Sequence, residues 1–167
     1  MHEHHTETPL AGGNSSSGVV LVGGTVRKPA TPSSRGIQSY MRLLRDRGID
    51  LPEPLGFDAQ GRSVTEFVPG PLAMDSPALS PGQLRTVGAM VRAIHDASVG
   101  IDGDDLGLGP ALIPIPAPDL VCHGDLTPWN LVLGERWVFI DWDGAAASSR
   151  VWDLAYSVQA FTLNDAG

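Results

Sequence analysis

The residues whose types and spacing allow chemistry lie in Cys122-His123-Gly124-Asp125-Leu126-Thr127-Pro128-Trp129-Asn130. Asp141 follows eleven residues after Asn130, in Phe139-Ile140-Asp141-Trp142-Asp143-Gly144. Carboxylate and amide oxygens are the ligands that hard Mg2+ takes alongside water. Such a set suits phosphoryl transfer from a nucleotide. There the protein does little covalent work; it supports a divalent cation against phosphate charge and orients the attacking hydroxyl. Asp125, five residues before Asn130 on one loop, is placed to accept the hydroxyl proton. Asn130 and Asp141 suit the metal, provided that the chain brings them together. A hairpin from Leu131–Leu133 to Val138–Ile140 would do so.

The composition narrows the classes. Eleven Lys and Arg against nineteen Asp and Glu leave a formal charge of −8, which argues against a broad nucleic-acid surface. The single cysteine, Cys122, excludes a disulfide scaffold and reads as a small packed residue in a reducing compartment. No apolar run approaches the roughly 20 residues of a membrane span, and the polar start does not resemble a signal peptide. With 167 residues, 42% of them hydrophobic, the expectation is an acidic cytoplasmic protein of one domain or two small lobes.

The elements that must position these residues are visible in part. Residues 1–10 read as a solvated tail, including the His2, Glu3, His4, His5 cluster, and Gly12–Gly18 as a glycine- and serine-rich turn. Val19–Val22 and Thr25–Lys28 read as strands joined at Gly23-Gly24. Ile37, Met41 and Leu44 predict a helix over Ile37–Arg47, with Ser34 at its start and Gly48 past its end. Leu55–Phe57 and Ser63–Val68 read as further strands. Ser80 and Gln83 form a capping box for a helix over Pro81–Ala97, with Leu84, Val87, Val91 and Ile94 as its apolar stripe. His95, near that helix's end, reads as a solvated cation. Gly100–Asp119 reads as a surface loop with Asp102, Asp104 and Asp105 in water. Leu120–Cys122 is a strand. A last helix over Val151–Phe161 is expected to bury Leu154, Val158 and Phe161. The four tryptophans, Trp129 among them, read as packing residues. Strands and one helix followed by helices and short hairpins indicate an α+β molecule of two lobes.

The His-x-Asp-x-x-x-x-Asn spacing, the following hairpin with Ile140-Asp141, and Trp152-Asp153-Leu154-Ala155 resemble the aminoglycoside phosphotransferase and choline kinase group, which shares the protein-kinase fold. The specific part of the resemblance runs from Leu120 to Tyr156. It implies a small β-rich lobe over 11–68 and a mainly helical lobe over 69–167. It also implies a small-molecule kinase that moves the γ-phosphoryl group of ATP, or GTP, to a substrate hydroxyl with Mg2+. By resemblance Asp125 is the catalytic base, Asn130 and Asp141 are the metal ligands, and His123 and Asp153 steady the catalytic loop. In the first lobe the glycine-rich turn, with Gly13, Ser16 and Ser17, would cover the triphosphate, and Val26 would face the adenine. Either Arg27 or Lys28 would supply a cation, and Glu66 and Val68 would form the hinge.

The pattern departs from the group at two places. The Ile37–Arg47 helix offers no glutamate to pair with the strand cation; Gln38 is the nearest polar residue. Only six residues follow Phe161, where the group continues with helices that complete the acceptor pocket. Two alternatives follow: a catalytically impaired nucleotide-binding module or fragment, or a minimal enzyme completed as a homo-oligomer or by a partner chain. A third reading takes Val138–Gly144 as the Asp-x-Asp-Gly opening of a haloacid-dehalogenase-type phosphatase with Asp141 as nucleophile. It leaves His123–Asn130 without a role, and no lysine follows Gly144.

Overall fold

Gly23 and Gly24, at φ 52° and 76°, close the tight turn between strand β2 (Val20–Val22) and strand β3 (Thr25–Lys28). Such a turn needs positive φ at both positions, which glycine adopts freely. The computed structural model describes residues 6–10 and 18–163, so the His2–His5 cluster lies outside the described residues. The tail expected over 1–10 is corrected at its end. Thr8–Pro9 form an edge strand, β1, against β2, and Glu7 pairs with Arg62. Strands β4 (Pro54–Phe57) and β5 (Ser63–Glu66) complete an antiparallel sheet of order β1-β2-β3-β5-β4.

Helix α1 (Ser34–Asp46) starts three residues earlier than the sequence suggests. Ser34 lies inside it and accepts the Thr31 N–H on its hydroxyl at 2.8 Å. Gly48, at φ 88°, ends the helix. Its N–H bonds Arg45 O, and the Ile49 N–H bonds Leu44 O, the paired closure that a left-handed residue allows. Helix α2 (Pro81–Ser98) has the expected capping box, with the Ser80 N–H on Gln83 Oε1 and the Gln83 N–H on Ser80 Oγ. Its buried stripe is Val87, Val91 and Ile94; Leu84 is partly exposed.

The expected surface loop contains a short helix, α3 (Gly103–Leu106). Asp102 caps it by accepting the Asp104 and Asp105 N–H groups, so this carboxylate is held rather than free in water. Strand β6 (Leu120–Cys122) pairs with β9 (Ala146–Ser148), and β7 (Leu131–Leu133) pairs with β8 (Trp137–Phe139). The last helix, α4 (Arg150–Leu163), is turned differently from expectation. It buries Asp153 and Ser157, while Leu154 and Val158 stay exposed at 44% and 52%. The hydrogen bonds of Asp153, described below, decide that orientation over the apolar periodicity.

One apolar cluster unites the two lobes. Ile37, Tyr40, Met41 and Leu44 of α1 pack with Val87, Val91 and Ile94 of α2 and with Val121, Leu126, Leu131, Phe139 and Trp142. The Tyr40 hydroxyl donates to Val121 O at 3.1 Å and lies 2.7 Å from Ser98 Oγ. Gly36 lets α1 come so close to α3 that a Cβ there would run into the Leu106 carbonyl. Helix α1 therefore belongs to the core of both halves of this α+β, two-lobed fold.

Candidate active site

The loop after β6 is held from three sides. His123 is fully buried, 4.4 Å from the Trp142 ring. Its Nδ1 accepts the Asp125 N–H at 3.1 Å. That bond leaves the ring proton on Nε2, which donates to Ile140 O at 3.1 Å. Burial pushes the imidazole below its usual pKa, so the ring is a neutral spacer between the loop and the residue before Asp141. Gly124, at φ 82°, gives its N–H to Asp153 Oδ1 at 3.1 Å. A Cβ on Gly124 would lie 2.9 Å from Gly144 O. Asp153 Oδ2 meets His95 Nε2 at 2.8 Å, and His95 is 1% exposed. The solvated His95 of the sequence reading is corrected: a carboxylate reaching in from α4 fixes the ring inside the core.

Asp125 is bound through one oxygen. Its Oδ2 accepts the Asn130 amide at 2.7 Å and the Trp129 indole N–H at 3.1 Å, whereas its buried Oδ1 has no partner among the described residues. Because a carboxylate only accepts, the Asn130 NH2 faces Asp125, and the amide oxygen of Asn130 is left to act as a ligand. The Ile140 N–H bonds Asn130 O at 2.8 Å, closing the β7–β8 hairpin and bringing Asn130 beside the chain entering Asp141.

Asp141 is the one described non-glycine residue at positive φ, 60°. A residue held there costs about 1–3 kcal/mol, a strain typical of functional turns. Its Oδ1 takes Lys28 Nζ at 2.6 Å, and Asp143 Oδ2 takes the same ammonium at 2.9 Å. Burial alone would push the Asp141 carboxyl up; the charge and hydrogen bond of Lys28 outweigh it and hold the group below its usual range. Burial likewise works against the Lys28 ammonium, and Asp143 and Asp141 together hold its pKa above the usual value.

Strand alternation puts Lys28, and not Arg27, on the cleft side of the sheet. Val26 and Lys28 line a cleft of about 670 Å³ between the lobes, together with Asp125, Asn130 and Asp141. Arg27 lies on the other face of the sheet and pairs with Asp58 at 3.4 Å, so its expected place in the site is withdrawn. Gln38 does not replace the absent glutamate. Its amide donates to Ser63 Oγ and Val64 O and accepts the Gly56 N–H, which ties α1 to the sheet. The partners of Lys28 come instead from the turn after β8.

Glu66 and Val68 line the same cleft. The Glu66 side chain accepts the Glu53 N–H and pairs with Arg136 of the β7–β8 turn, and Val68 packs with Val132 and Val138. Gly13, Ser16 and Ser17 lie outside the described residues. A second cavity of about 520 Å³ shares Lys28, Asp125, Asp141 and Asp143 and is walled by Leu112, Ile113, Trp152 and Tyr156.

The donor set of the first cleft fits a hard divalent cation. The amide oxygen of Asn130 and the Asp141 carboxylate are oxygen ligands, and Asp143 adds a third nearby carboxylate. The one His, Cys and acidic cluster compact enough for a metal among the described residues is His95, Cys122 and Asp153. There the Asp153 carboxylate is already committed to His95 and Gly124.

Sequence reasoning missed Trp129, Asp143 and His95. Each acts through a partner brought close by the fold, and only Trp129, four residues from Asp125, carried a local signal.

Comparison with known proteins bears on the fold and on the C-terminal part of the chain. Residues 105–166 match the model of the phosphotransferase enzyme family. The chain is similar to the crystal structure of a spectinomycin phosphotransferase in complex with ADP and spectinomycin. Their TM-score is 0.67 at 17% identity, over 91% of this chain and 68% of that one. It is also similar to a choline/ethanolamine kinase family protein from Mesorhizobium loti, with a TM-score of 0.56 at 18% identity, over 98% of this chain and 67% of that one. Among curated sequences none matches the chain. The fold is thus kinase-like, and it removes the dehalogenase-type reading: Asp141 enters a turn of a two-lobed kinase architecture. No described helix is long and apolar enough to cross a membrane.

Proposed function

We propose that this kinase-like chain, with its match to the phosphotransferase enzyme family over residues 105–166, is a small-molecule kinase transferring the γ-phosphoryl group of ATP to a substrate hydroxyl. The observation that carries the reading is the meeting of Lys28, Asp125, Asn130 and Asp141 on one interlobe cleft. Lys28, paired with two carboxylates and facing the cleft beside Val26, is the cation for the nucleotide phosphates. Asn130 and Asp141 would hold Mg2+, which when bound neutralises charge on the β- and γ-phosphates. Asp125, which lines both cavities, takes the acceptor proton. ADP in the structure of the spectinomycin phosphotransferase supports a nucleotide in this cleft.

The acceptor belongs in the second cavity. Its aromatic walls, Trp152 and Tyr156, and its acidic floor, Asp125 and Asp143, favour a hydroxyl compound that also bears an amine. The net charge of −8 points the same way. A cytoplasmic setting, where ATP and Mg2+ are plentiful, belongs to the same proposal. The test is ADP release across a panel of amino-alcohols and aminoglycosides with Mg·ATP, run beside thermal shift. The expected result is release with at least one acceptor that Asp125→Asn abolishes while ATP-induced stabilisation remains. Stabilisation without release for any acceptor would replace the kinase by a nucleotide-binding module.

A further inference from the structure

The two oxygens of Asp125 are used unequally, and one of the two donors responsible is Trp129. Its indole N–H reaches Oδ2 at 3.1 Å, the Asn130 amide reaches the same oxygen at 2.7 Å, and the buried Oδ1 receives nothing from the described residues. Both donors stand on one short turn, Pro128–Asn130. We propose that Trp129 is a positioning residue whose indole N–H fixes which oxygen of Asp125 takes the proton of the acceptor hydroxyl. The inference rests on Asp125 being the proton acceptor of the proposed transfer.

Exchanging the two carboxylate oxygens requires rotation about the Cβ–Cγ bond, a soft torsion in a free aspartate. Here the rotation would break two hydrogen bonds to the same oxygen. Of the two donors, Asn130 has a divided duty, because the oxygen of the same amide would face the cation. Trp129 has none: an indole N–H only donates. Its bond is therefore the hold on Asp125 that does not change as the amide adjusts to a metal. In the transfer the acceptor oxygen bonds the γ-phosphorus, and the bond from that phosphorus to the bridging oxygen breaks to leave ADP. The hydroxyl proton goes to the Asp125 carboxylate. Trp129 takes part in no bond change; through Oδ2 it holds the carboxylate in one orientation.

The test uses the full chain, uniformly labelled with 15N, without nucleotide. Loss of one indole N–H signal in Trp129→Phe identifies that residue. In Asp125→Ala the identified signal is expected to move upfield, as the carboxylate partner is gone, while that of Trp137 keeps its place. In turnover, Trp129→Phe should lower kcat about tenfold or more, the order expected for a misplaced reacting group, with the KM for ATP and the thermal midpoint near wild type. An indole signal unmoved in Asp125→Ala, or a wild-type kcat in Trp129→Phe, overturns the proposal. Full turnover in Asp125→Asn removes its premise instead, an outcome told apart because the indole signal would still shift in Asp125→Ala.

Discussion

His95 Nε2 lies 2.8 Å from Asp153 Oδ2, both side chains almost wholly buried, and the second oxygen of Asp153 holds the Gly124 N–H. One carboxylate thus ties α2 and α4 to the loop that carries Asp125. Asp153→Ala leaves the buried His95 imidazole and the Gly124 N–H without this partner, and the expected cost is about 3 kcal/mol. Asp153→Asn, which keeps an acceptor for Gly124, should cost less. Urea unfolding checks both; equal losses in the two variants would show that the Gly124 bond contributes nothing.

Neighbouring cations on β3 have opposite assignments. Lys28→Gln removes the counter-charge of Asp141 and Asp143, and turnover should fall about a hundredfold, as expected when a phosphate-positioning group is lost. Arg27→Gln, on the far face with Asp58 and outside the cleft lining, should leave turnover within about twofold. Steady-state kinetics of the two variants decides. The reverse order would return the phosphate contact to Arg27.

Two helical glycines should respond to alanine with opposite signs. Gly88 in α2 has nothing within 4 Å of where a Cβ would stand, so Gly88→Ala should stabilise by about 0.5–1 kcal/mol through helix propensity. Gly36 faces the Leu106 carbonyl. Gly36→Ala should therefore destabilise by about 1–3 kcal/mol, as overpacking does. Thermal or chemical unfolding of both variants reads the signs directly. A stabilised Gly36→Ala would mean that α1 and α3 are not in contact.

The buried His123 gives stability a pH dependence. Burial lowers the folded-state pKa beneath the ordinary value of 6.5, so below that pH the unfolded chain takes up a proton that the folded chain refuses. Its contribution is complete above pH 6.5 and is lost as the pH falls toward the folded-state value, with a slope of at most about 1.4 kcal/mol per pH unit. His123→Gln should be less stable at pH 7.5 and show a flatter decline between pH 6.5 and 5. Parallel curves for the variant and the wild type would assign the slope to other groups.

What the sequence made legible were the features whose signals are local. The Ser80–Gln83 box, the Gly23-Gly24 turn, Gly48 after α1 and the Asp125–Asn130 spacing each declare themselves within a few residues. The interior role of His95 depends on a partner 58 positions away, and a histidine near a helix end looks the same whether buried or solvated. Helix α4 shows the limit of periodicity. Its apolar stripe suggested one buried face, yet the loop's need for the Asp153 carboxylate turned another face inward. Lys28 and Asp143 are 115 positions apart, which is why the replacement for a helix glutamate went unseen.

The burial of Tyr40 and Gly36 also couples the two lobes. Helix α1 is fastened to α3 and β6 through Gly36 and the Tyr40 hydroxyl, and to the sheet through the Gln38 amide. Lys28 stands on the sheet, and its partners Asp141 and Asp143 stand on the turn after β8. Any displacement of the sheet from that turn would have to break this ion pair together with the Gln38 bonds.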